Sequence, residues 1–127
     1  MKAYYDNKPS VISEVGNGSY LYHYGITEVE SEHLQEQTGK RTQYVCEEVT
    51  VWSPLTANRI TEAVITDRWN ANYEQKLVNE YNAAKLGLYD ADEAKTRIKA
   101  YTDYLTERAA LKAQVDADCA DLNITMA

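Results

Sequence analysis

Apolar and polar positions alternate along the first half of the chain and recur at helical spacing along the second. Tyr20, Tyr22, Tyr24 and Ile26 fall on one side of an extended segment, Leu21, His23, Thr27 and Val29 on the other, the two-residue period of a β-strand. Both sides are partly apolar, which predicts a central strand or one covered by helices. Val11–Val15 is a second, shorter run, and Gly16-Asn17-Gly18-Ser19 between the two carries the Asn-Gly pair of a hairpin turn. Residues 41–52 form a third run: Tyr44 and Cys46 share one parity, Val49 and Val51 the other, and a β-bulge near Glu47-Glu48 would reconcile them. Lys2–Tyr5 is a short extended segment followed by turn chemistry at 6–10, and Ser31–Lys40 is a polar connecting loop. The three runs predict a small antiparallel β-meander of about three strands.

Pro54 ends the β-rich part and Thr56 is placed to cap a helix. Ile60, Ala63 and Val64 set one helical face; Leu77, Val78, Tyr81 and Ala84 set another, rotated from the first. Trp69-Asn70-Ala71-Asn72 lies between them, with Asn72 and Gln75 resembling a capping pair. The segment should therefore break into helices over about 57–68 and 72–86. Gly87 sits where a helix-terminating glycine belongs, and Asp90 with Glu93 three residues on reads as the next helix start. Two helices separated by so short a turn run antiparallel. The last helix, 91–122, carries Ala94, Ile98, Tyr101 and Leu105 on one stripe and Leu111, Val115, Cys119 and Leu122 on a second. At ~45 Å it exceeds the width of a compact domain of this size. Its far end should project, bend or meet a partner chain, homo-oligomerisation included. The fold class is α+β, one domain: a β-rich part (1–55) followed by a helical hairpin with a bent first arm (56–127).

Composition narrows the function. Eleven Tyr and two Trp stand against no Phe; hydroxyl-bearing rings suit a thin core or a surface that meets another protein. The net charge of −7 is spread without any Lys/Arg stripe, which argues against nucleic-acid binding and against attachment to anionic membranes. No apolar run reaches the ~20 residues of a membrane span, and the first residues lack an apolar leader core. Cys46 and Cys119 match no metal spacing and fit a reduced, cytoplasmic chain.

Candidate chemistry thins out on inspection. Asp90, Asp92 and Glu93 lack the glycine and distant Glu of a calcium loop and read as helix capping. Asp116, Asp118 and Asp121 read as a solvated helix face. Glu28, Glu30 and Glu32 share one strand parity and read as a charged edge. His23 and His33 lack metal-ligand spacing and a nucleophile motif. No cofactor, metal or catalytic residue is expected. The candidate partner surface is the stripe Tyr20, Tyr22 and Tyr24; the competing reading makes it the sheet layer beneath the helices.

The stretch Ile60–Trp69, the helix bearing Glu74, Leu77, Val78, Asn79 and Tyr81, and Lys99–Arg108 resemble the helical part of small phage and prophage proteins. Those proteins are encoded near tail and tail-fibre genes, including in gut Bacteroidetes. The resemblance covers roughly residues 58–110 as a pattern of residue types and carries over no functional residue. It implies a non-enzymatic tail structural or assembly accessory, in the host cytoplasm or virion-associated, with phage tail components as protein partners. Two other readings remain open: a small ligand-binding or enzymatic domain with a pocket near His23, and an acidic regulatory or inhibitor protein.

Overall fold

The computed structural model describes residues 1–32 and 40–127. The elements run β1 (Lys2–Tyr5), β2 (Ile12–Glu14), β3 (Ser19–Glu32), β4 (Lys40–Trp52), α1 (Ala57–Arg68), α2 (Ala71–Lys85) and α3 (Ala91–Leu122). The class is α+β, with one strand more than the meander read from the sequence. All pairings are antiparallel, in the order β1-β4-β3-β2. The added strand is Lys2–Tyr5, which lies against Glu47–Tyr44 on the outer side of β4. Four residues carry too little pattern to name the edge they join.

The bulge lies in β3, not at Glu47-Glu48. The β3–β4 register moves from Tyr24↔Glu47 to Thr27↔Val45, and Gly25 takes φ +61° there, a left-handed conformation that glycine enters without a Cβ penalty. Strand β4 stays regular and carries apolar residues on both faces. The extra residue also sets Glu28 opposite Tyr44, on the face away from Tyr22 and Tyr24. Of the loop expected over 31–40, Ser31, Glu32 and Lys40 belong to strands, and 33–39, with His33, lie outside the described residues.

The helices cover one face of the sheet. Tyr22, Tyr24, Val49 and Val51 form a core with Ala57, Ile60 and Val64 of α1 and Val115 and Cys119 of α3. A second cluster joins Ile65 and Trp69 to Leu77 of α2 and Tyr104 of α3. The C-terminal half of α3 is thus the docked half. The part that outruns the sheet is the α2–α3 turn, opposite to the expectation that the far end of the last helix projects.

Local chemistry fixes the helix ends. The Thr56 hydroxyl accepts from Arg59 N at 3.2 Å, and Asp90 accepts from Glu93 N at 2.8 Å, as the capping pattern predicts. The Glu93 side chain turns to Arg97 instead of closing a capping box. Between α1 and α2 the break falls as expected, but the cap is Asn70, whose side chain accepts from Tyr73 N at 2.7 Å; Asn72 lies inside the helix. Trp69 holds an extended conformation at the break, its ring edge-on to Tyr104 at 5.0 Å. At the end of α3, Asn123 turns left-handed with φ 58°, and the tail returns to the start of α1. There Ala57 N and Asn58 N donate to the Thr125 and Met126 carbonyls, satisfying two amides that a helix start leaves without internal partners.

Candidate functional site

The tyrosine stripe splits on folding. Tyr22 is 0% exposed and Tyr24 7%, their rings stacked at 5.6 Å beneath the helices, while Tyr20 is half-buried. Tyr22 is closed off completely and Tyr24 nearly so, which puts both in the sheet layer under the helices, although an edge of Tyr24 still lines a cleft. The Tyr22 hydroxyl donates to Asp118 Oδ2 at 2.5 Å. Burial pushes its pKa up, and the Asp118 bond and charge add to the rise. Tyr24 is pushed up to about 12, first by burial and then by the negative fields of Glu47 and Asp67.

His23 faces the other side of the sheet by alternation and is 2% exposed. Its Nδ1 lies 2.6 Å from the Ser10 carbonyl; a carbonyl only accepts, so Nδ1 carries a proton. Its Nε2 lies 3.1 Å from both Glu48 Oε2 and the Tyr5 hydroxyl, and that hydroxyl also donates to Glu48. The hydrogen bond to Glu48, followed by burial, raises the Tyr5 pKa to about 12. One ring thus ties β1, the β1–β2 connection and β4 to the central strand. None of the clefts described below is lined by His23. The alternation of the sequence located His23, but Tyr5 and Glu48 come together only through the β1–β4 pairing, for which the sequence carries no signal.

The carboxylates singled out in the sequence have local duties. Asp90 caps α3, Asp116 pairs with Lys112 at 2.8 Å, and Asp118 takes Tyr22 and Gln114. Glu28 and Glu30 are exposed. Cys46 and Cys119 are free thiols in the interior; burial, with nearby carboxylates adding to it, raises both their pKa values and lowers their thiolate character. Among the described residues no group of His, Cys, Asp and Glu could hold a metal ion, and no helix is long and apolar enough to cross a membrane.

What remains is surface. A cleft of ≈ 520 Å³ lies at the α1–α2 break, lined among others by Trp69, Tyr73 and Tyr104. A second, of ≈ 540 Å³, includes Tyr24, Gly25, Glu47 and Asp67. The Arg68–Glu107 pair, at 2.7 Å, contributes to both. A third, of ≈ 430 Å³, runs between α2 and α3. The arm built from these two helices leaves Tyr73, Leu86, Leu88 and Leu105 exposed. Comparison of the chain with protein-family models, curated proteins and solved structures gives no match.

Proposed function

We propose that this chain is a non-enzymatic protein–protein interaction module, a phage tail or tail-fibre accessory in structure or assembly. The observation that carries the reading is the projecting α2–α3 arm, whose tip exposes Leu86 at 75% and Leu88 at 72%. Paired leucines at the end of a helical arm suit insertion into an apolar pocket of a protein partner. The resemblance over residues 58–110 supports a tail component as that partner, in the host cytoplasm or in the virion. The alternative of a ligand pocket at His23 has little to stand on, since both ring nitrogens are engaged and the ring is covered.

The test is co-expression of the chain with the proteins encoded beside it. A tail protein should co-purify with the wild type. The double substitution Leu86→Ser and Leu88→Ser should weaken that capture at least tenfold while leaving the melting temperature unchanged, because both side chains lie in solvent. A chain that captures no tail protein in any such pairing would overturn the assignment.

A further inference from the structure

The arm has an open flank. Helix α2 has fifteen residues and buries only Leu77 and Ala84 of them, and α3 is its main packing partner. Most helical stability in proteins comes from tertiary packing of an apolar face, not from propensity, and two helices alone give each other one seam. On α3, Ala94, Ile98, Tyr101 and Leu105 recur at spacings of four, three and four, the heptad rhythm of a helix-on-helix seam. Helix α2 covers this stripe on one flank only: the first three are half-buried and Leu105 remains 44% exposed. The groove along the open flank is lined by Ala71, Val78, Tyr101, Tyr104 and Leu105 together with the polar Glu74, Gln75 and Arg108.

We propose that this groove is a homodimer interface, in which the arms of two copies pair about a two-fold axis into a four-helix bundle. Charge selects a second copy as the occupant. Residues 71–108 carry six Lys/Arg against seven Asp/Glu, whereas the rest of the chain carries seven against thirteen. Within the arm the charges are matched locally: Arg97 to Glu80 at 2.8 Å and to Glu93 at 2.6 Å, and Arg108 to Glu74 at 4.0 Å. Two copies therefore meet with least repulsion through their arms, with the acidic sheet ends held apart. The groove's lining holds one charge of each sign, Glu74 and Arg108, so it is not self-repelling when matched with its own copy. A two-fold interface is isologous, each Leu105 entering the partner's groove, and it supplies the missing layer of a bundle.

Sedimentation equilibrium of the full chain over a wide concentration range tests this. The wild type should reach twice the 14.4 kDa of one chain. Leu105→Glu and, separately, Val78→Glu should shift the dissociation constant upward by at least a hundredfold with circular dichroism unchanged; two variants guard against a folding defect in either. Val15→Glu, at an exposed apolar position outside the arm, should leave the dimer intact. A wild type that stays monomeric overturns the proposal, including one whose groove takes a helix of another protein instead. A dimer that survives both groove substitutions, or that Val15→Glu breaks, also overturns it. The proposal does not rest on the tail assignment. A dimer that captures no tail protein removes the assignment and leaves the interface, and a monomer that captures one does the reverse.

Discussion

Tyr22 joins the two halves of the molecule through a single hydroxyl. Its ring lies between the sheet and the helices, and its oxygen donates to Asp118 on α3, whose second oxygen takes the Gln114 amide at 3.1 Å. A hydrogen bond to a charged group in such a place contributes more than a neutral one, because losing the donor leaves a partly covered carboxylate short of a partner. Tyr22→Phe should therefore destabilise the fold by about 2 kcal/mol, read from urea denaturation with an unchanged m-value. In a double-mutant cycle the Tyr22→Phe and Asp118→Ala costs should sum to more than the double variant loses; strict additivity would show that the bond contributes nothing. The sequence gives the side of β3 on which Tyr22 lies, since alternation is local. It does not give what covers that side. Asp118 lies 96 residues away, and only the docking of α3 converts a tyrosine stripe that could have met a partner into the centre of the core.

Helix starts show how local signals compete. Two asparagines two residues apart could each begin α2, and the pattern of Asn72 with Gln75 favours the later one. The structure selects Asn70, because a cap there lets Trp69 reach the Ile65–Leu77–Tyr104 cluster while the chain reverses. Asn70→Ala should then cost about 1 kcal/mol. Asn72→Ala, inside the first turn, should be neutral or stabilising by about 0.5 kcal/mol from helix propensity alone. Equal losses for the two, in thermal or urea unfolding followed by circular dichroism, would place the cap elsewhere. Thr56, Asp90, the Gly87 stop and the span of α3 were legible because each depends on residues within one turn. The bulge was not. A parity change along β4 has two readings, an extra residue or apolar side chains on both faces, and Gly25 in the partner strand decides between them. The direction of the arm was equally hidden, since hydrophobic stripes mark faces of α3 without saying which half docks on the sheet.

Across the whole molecule the absence of Phe sets the design. Aromatic volume in the interior comes from Tyr and Trp, so packing a ring also brings in a hydroxyl that needs an acceptor. Three carboxylates answer three phenols in separate regions: Glu48 for Tyr5 at the outer sheet, Asp118 for Tyr22 in the core, Glu74 for Tyr104 at the base of the arm. Part of the acidic excess is thus structural. The arrangement carries a pH dependence whose sign follows from the shifts. Tyr104 is raised to about 12, by burial first and then by Glu74. Tyr5 and Tyr24 are raised to about 12 as well, and Tyr22 also rises. A phenol whose pKa is raised on folding stabilises the fold fully below its unfolded value near pH 10. That contribution is lost as pH rises through the folded value. Because the four phenols sit in three regions of one fold, their ionisation should couple to global opening. Phenolate absorbance should show a late, cooperative rise between about pH 10 and about pH 12, coincident with loss of the helical circular dichroism. Glu48→Ala removes both the hydrogen bond, which is the largest cause of the Tyr5 shift, and the charge beside it, and should move one phenol to lower pH ahead of that step. Completion of the whole titration near pH 10 with the helices intact would contradict this account of the core.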